Sequence, residues 1–232
     1  MEFITQKSIN NILPSKELFG LLPRTQHPLF LRVFPKISLV QTILLSLFGT
    51  ILVSLLAQVK FFLPGNPVPV TLQGFGVLVL GGFLGWRWGL VSILIYYIFG
   101  LVGLPVFANP DQGNLFTNLD ISEIVKGYNY VFMGVTGGYL LGFILATVFI
   151  GFIVQSGWNR GTTIWAMLLG SFLIYIPAFI WLSVFDFGWP AEGELLESAL
   201  YPYIPGDLLK VVIASLFITG INNWVNKRDK EE

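Results

Sequence analysis

A lysine stands where an apolar helix would have to cross oil. In the run Leu208-Leu-Lys-Val-Val-Ile-Ala-Ser-Leu-Phe217 every neighbour of Lys210 is apolar apart from Ser215, and a lysine at helix-centre depth in a bilayer costs about 2.5 to 3.5 kcal/mol on insertion scales. Such a residue is retained for a job, and Asp207 lies three positions earlier, on the same helix face. The pair can be a capping aspartate with a lysine that snorkels to the surface. Alternatively, it is a binding site in which Asp207 accepts N–H donors and Lys210 receives a carboxylate. Two other segments have the same character: Pro67-Val-Pro-Val-Thr-Leu-Gln-Gly74 and Gly134-Val-Thr-Gly-Gly-Tyr139 each open an apolar stretch with Pro or Gly and polar groups. Caps and turns account for Pro, Thr and Gly there. They account less well for Gln73, Tyr139 and Lys210, which fall inside the helices after capping is complete.

The elements that position these residues are membrane helices. The chain of 232 residues is 54% hydrophobic and 11% charged, with a mean hydropathy of +0.74, whereas a soluble domain is roughly 25% charged. Its formal net charge is zero, so no global field gathers nucleic acid or an acidic partner. With no Cys and only His27, thiolate metal sites and zinc triads are excluded. Six stretches match the roughly 20 apolar residues of a crossing helix, or approach it: 37–59, a short glycine-rich 70–85, 88–104, 136–155, 162–184 and 207–225. They predict an all-α membrane domain over 37–226, a basic N-terminal extension over 1–36, and a charged tail over 227–232.

Basic residues stay on the cytoplasmic side of short connections. With the N-terminus inside, that side holds Lys7, Lys16, Arg24, Arg32, Lys36, Arg87, Arg160, Lys227, Arg228 and Lys230, against Lys60, Lys126 and Lys210 outside. The bias predicts six spans with both termini cytoplasmic, in a multi-pass protein of the cell membrane. Helices two, four and six then enter from outside, and their three polar N-termini, each a partial positive charge, face one outer cavity suited to a polar or anionic small molecule.

The four motifs Pro67-Val-Pro-Val-Thr-Leu-Gln73, Gly100-Leu-Val-Gly-Leu-Pro-Val-Phe107, Thr136-Gly-Gly-Tyr-Leu-Leu-Gly142 and Ile204-Pro-Gly-Asp-Leu-Leu-Lys210 resemble the BioY family, the biotin-capturing S components of energy-coupling factor transporters. The resemblance implies the six-helix S-component fold and capture of biotin from outside. It also implies import driven by a transmembrane coupling subunit and two ATPase subunits. It places Asp207 and Lys210 in the binding motif, lines the cavity with Thr71, Gln73 and Tyr139, and offers Asn109 as a partner for the ureido group of biotin. Val135 stands where the family pattern has Pro, and the segment 109–133 is longer than the pattern.

Ser46, Thr50 and Ser54 align small side chains on one stripe of the first helix. By spacing alone the stripe packs either within the chain or against another protein, and the resemblance implies docking to the coupling subunit. No Gly-x-x-x-x-Gly-Lys-Ser/Thr loop is present, so energy must come from a partner, or the chain only equilibrates its substrate. An S component for a different vitamin and a solitary facilitator are the nearer alternatives. An intramembrane enzyme is the distant one, because no base accompanies the Ser and Asp residues of the spans. No cofactor or metal is expected.

Overall fold

The computed structural model describes residues 27–108, 121–157 and 163–231. Within them the chain is a helical bundle with a two-stranded hairpin at one end. A short helix α1 (Leu29–Val33) precedes α2 (Leu39–Gln58). Strands β1 (Lys60–Phe61) and β2 (Val70–Thr71) pair antiparallel, Lys60 opposite Thr71, and lead into α3 (Gln73–Leu101). The short α4 (Ile121–Tyr128) and a π-helical turn (Asn129–Met133) come next, followed by α5 (Gly137–Ser156), α6 (Ile164–Leu173) and α7 (Tyr175–Val184). A single turn α8 (Leu195–Ala199) precedes the last helix, α9 (Ile204–Glu231). Five helical stretches are long and apolar enough to cross a membrane: α2, α3, α6 with α7, α5 and α9. The chain is a multi-pass membrane protein.

α3 is not straight. Gly85 has φ 74° and ψ 179°, outside the helical region, and Gln73 donates a hydrogen bond to Tyr96 at 2.7 Å. In a continuous helix those two residues would be about 35 Å apart, at about 1.5 Å rise per residue. The chain therefore doubles back at Gly85, and residues 73–84 and 86–101 are two antiparallel arms that correspond to the expected stretches 70–85 and 88–104. The turn is held by Gln155 near the end of α5, whose side-chain oxygen accepts the Trp86 N–H at 3.0 Å. α6 and α7 also form one path with a break: Pro177 cannot donate to the Leu173 carbonyl and its ring crowds that turn, and α6 ends at Leu173.

The packing follows the membrane rule, with small residues inside and large apolar ones outside. On α2 the buried positions are Thr42, Ser46, Gly49, Thr50, Val53 and Ala57, whereas Val40, Leu44, Phe48, Ile51 and Leu55 are exposed. Lipid is as apolar as Leu, so burial of large side chains gives helices no reason to associate, and close backbone approach decides instead. α5 uses this against its neighbours: a Cβ on Gly142 would sit 2.3 Å from the Ile174 carbonyl oxygen, and one on Gly151 would sit 2.2 Å from the Trp86 nitrogen.

Ser46, Thr50 and Ser54, the stripe expected to dock a coupling subunit, lie against their own chain in this structure. Ser46 and Thr50 are fully buried, and the Thr50 hydroxyl donates to the Ser92 carbonyl across to the second arm of α3 at 2.8 Å. The half-buried Ser54 donates to the Thr50 carbonyl at 2.8 Å. The stripe packs within the chain, and the opposite face of α2 is the exposed one.

Part of the N-terminal extension also belongs to the bundle. Leu29 and Phe30 are buried. Arg32 donates to Asn222 at 2.8 Å and Asn226 at 2.7 Å, and Arg228 donates to the Arg32 carbonyl at 2.6 Å. α1 is thus fastened to the C-terminal turns of α9, which runs on as helix through Glu231.

Candidate functional site

The polar entries of three helices meet at one cavity. The β hairpin delivers Val68, Thr71 and Gln73 at the start of α3, Thr136 and Tyr139 stand at the start of α5, and Tyr203, Asp207 and Lys210 at the start of α9. The space has about 570 Å³ including its opening, and its apolar wall is formed by Val68, Leu140, Phe143 and Ile174. Its apolar wall with a few convergent polar groups is the lining of a small-molecule site.

Lys210 lies across this cavity. Its ammonium donates to Asp207 Oδ1 at 2.8 Å, with side-chain exposures of 11% and 22% for Lys210 and Asp207, so the lysine does not snorkel to open water. The other Asp207 oxygen accepts from the Tyr175 hydroxyl. Asp207 is therefore not spent as a helix cap: both carboxylate oxygens are engaged by side chains in the cavity. A carboxylate has roughly four lone-pair positions, which leaves capacity to accept N–H donors from a ligand. The Lys210 stem passes over the start of α3, where a Cβ on Gly74 would lie 3.7 Å from Lys210 Cδ.

The remaining predicted residues fall around this centre. Gln73 is buried, and its amide is held by Tyr96. Thr71 Oγ1 accepts the Gln73 backbone N–H at 3.2 Å and so fixes the entry of α3. Tyr139 donates to the Ala199 carbonyl at 2.8 Å, which ties the start of α5 to α8. The Thr136 hydroxyl donates to the Tyr130 carbonyl at 3.3 Å and does not cap its helix. Asn109 lies outside the described residues.

Three lining tyrosines were not among the expected site residues: Tyr130, Tyr175 and Tyr203. Tyr175 and Tyr139 meet edge to face with ring centroids 5.9 Å apart, and Tyr130 stacks on Phe107 at 5.4 Å. Tyr203 donates to the Val68 carbonyl at 2.8 Å and to Asn66 Oδ1 at 3.0 Å. Asn66 in turn donates to the Ser198 carbonyl at 3.0 Å, so the loop between the strands and the loop before α9 are joined beside the cavity. Burial pushes the Tyr130 phenol up to about 12 and raises that of Tyr203, so both stay neutral donors. The one signal for Tyr175 in the sequence was a hydroxyl two residues before Pro177 in an otherwise apolar run. Among the described residues no group of three His, Cys, Asp or Glu side chains is placed to hold a metal.

Residues 26–227 match the BioY family. The chain belongs to the BioY family. It is 37% identical over 149 residues to a probable biotin transporter BioY of Methanothermobacter thermautotrophicus, covering 61% of this chain and 85% of that protein. It is 31% identical over 198 residues to the biotin transporter BioY of Rhodobacter capsulatus, covering 78% and 92%. The fold matches a crystal structure of the S-component for biotin from an ECF-type ABC transporter with a TM-score of 0.62, 23% identity and coverage of 79% of this chain and 92% of that one. This BioY chain thus has the S-component fold.

Proposed function

We propose that this BioY chain is the substrate-capture component of a biotin importer, a transport protein and not an enzyme. The observation that carries the reading is the Asp207–Lys210 pair inside the cavity, in a chain whose curated relatives are named biotin transporters. Biotin carries a cyclic urea, an apolar bicycle and a carboxylate tail. The urea edge shows a carbonyl acceptor beside an N–H donor, and the pair shows Lys210 Nζ as donor beside Asp207 Oδ1 as acceptor, 2.8 Å apart. Because the two ends of biotin are separated by a chain of several bonds, one ligand cannot set its urea on Asp207 and its carboxylate on a Lys210 in contact with it. The geometry therefore favours both residues at the urea, rather than the carboxylate role expected for Lys210, with Tyr175 steadying Asp207 and the tyrosine and aliphatic walls enclosing the bicycle. Gln73, Thr71 and Tyr139 shape the remaining wall.

Purified protein in detergent should bind one biotin per monomer, far ahead of thiamine or riboflavin, by titration calorimetry and by mass spectrometry of ligand released on denaturation. Tight binding of another vitamin with none of biotin would overturn the reading.

Six spans in the cell membrane, with both termini in the cytoplasm, are part of the same proposal. It is supported by the five apolar helical stretches, the reversal of α3 at Gly85 and the basic residues near the ends opposite the cavity, Arg32, Arg87 and Arg228. The cavity then opens outward. A reporter fused after Glu232 should read as cytoplasmic; an extracellular reading would refute this topology. Import against a gradient would need an energy-coupling module, here a transmembrane coupling subunit and two ATPase subunits, since the sequence has no phosphate-binding loop of its own. No cofactor enters this mechanism.

A further inference from the structure

α4 and the π-helical turn after it have a use beyond filling the connection between α3 and α5. Ile121, Ile124, Val125, Tyr128 and Phe132 are exposed, from 44% to 75%. At steps of three, one, three and four residues they form one stripe along α4 and the turn. The opposite face is packed: the Gly127 backbone rests on the Gly100 carbonyl, which a Cβ there would meet at 2.0 Å, and Glu123 is buried with Lys126 donating to it at 2.7 Å. A helix of eight residues is about 12 Å long and cannot cross a bilayer.

We propose that α4 lies flat in the boundary between headgroups and acyl chains of the leaflet at the cavity mouth. Three observations select lipid as the occupant. The stripe carries no charge. It lies at the C-terminal end of the second α3 arm, where Ile124 neighbours Gly103 and where Ile98 and Val102 are themselves exposed. Finally, the charged pair Glu123 and Lys126 sits off the stripe, as in amphipathic helices that float at this depth, about 5 to 10 Å into the interface. The turn that follows is π-helical, so Tyr130 faces the cavity and stacks on Phe107 while Phe132 remains on the outer stripe against Tyr128. One wall of the cavity thus rests on a helix seated in lipid.

The chain has no cysteine, so single-cysteine labelling needs no prior substitution. Ile124→Cys and Ile121→Cys, each labelled with nitrobenzoxadiazole and reconstituted in phosphatidylcholine vesicles, should lose more than half of their emission when the lipid carries a nitroxide near the headgroup end of its chains, whereas Leu145→Cys in the middle of α5 should be quenched more by a nitroxide near the chain ends. Aqueous iodide should quench Glu192→Cys in the exposed loop after α7 and spare both α4 sites. Iodide quenching of the α4 sites to the level of Glu192→Cys would place the helix in water and overturn the proposal. Protection from both quenchers would mean that protein covers the stripe, and would overturn it equally.

Discussion

Replacing Lys210 by alanine is expected to weaken biotin about a hundredfold or more, and to weaken biotin methyl ester by the same factor. The variant removes the donor at 2.8 Å from Asp207 and leaves that carboxylate, only 22% exposed, with Tyr175 alone. Truncating one partner of a desolvated charge pair at a binding site costs about 2 to 5 kcal/mol of affinity. Residual exposure and the remaining hydroxyl favour the lower half of that range, and about 3 kcal/mol is about two decades in affinity. The equal loss for acid and ester follows from the closed pair, which sets Lys210 at the urea edge. A selective loss for the acid would instead return Lys210 to the carboxylate. Calorimetry of both ligands on both proteins separates the outcomes, and an unchanged affinity for both would remove Lys210 from the site altogether.

How legible the site was depended on how rare each residue type is in its surroundings. A lysine and an aspartate within an apolar run are rare, so Asp207 and Lys210 stood out, and Gln73 stood out for the same reason. Tyr130, Tyr175 and Tyr203 did not, because aromatic residues are common in and beside membrane helices and nothing in a single sequence says which of them faces inward. The reversal of α3 was legible as two apolar stretches, 70–85 and 88–104, separated at the basic Arg87. Its two arms run on as one helical stretch because only one residue departs from helical angles. The stripe on α2 shows the limit of periodicity. Small residues at steps of four mark a close approach, but whether the approaching helix comes from the same chain or another is set by tertiary packing. Here Thr50 meets Ser92 on the second arm of α3. Within the N-terminal extension α1 is too short to show a pattern in the sequence, yet Phe30 is fully buried and Arg32 is bound to α9.

The largest expected effect on the fold comes from Gly85→Ala. At φ 74° and ψ 179° the backbone lies in a region essentially restricted to glycine, and holding another residue there costs about 1 to 3 kcal/mol. The added Cβ would also fall 2.5 Å from Gln155 Oε1 and 3.1 Å from Pro28 Cβ. Gln155 would have to leave, and with it the acceptor of the Trp86 N–H at 3.0 Å, for about 1 to 3 kcal/mol more if that donor stays buried and unpaired. A total of about 3 kcal/mol, at roughly 2 to 4 °C per kcal/mol for a chain of this size, predicts a fall in Tm of roughly 10 °C. Gly220→Ala is the control: it lies within α9 with nothing inside 4 Å of the new Cβ, and exchanging glycine for alanine in a helix is neutral to favourable by about 1 kcal/mol. Both variants are to be compared with the parent in one detergent at one scan rate, since a membrane protein that aggregates on unfolding has a midpoint that depends on that rate. The reversal at Gly85 also sets the register in which Gln73 meets Tyr96 at the cavity, so surviving Gly85→Ala protein should bind biotin more weakly. Equal midpoints for the parent and Gly85→Ala would show that this glycine is not what turns the chain.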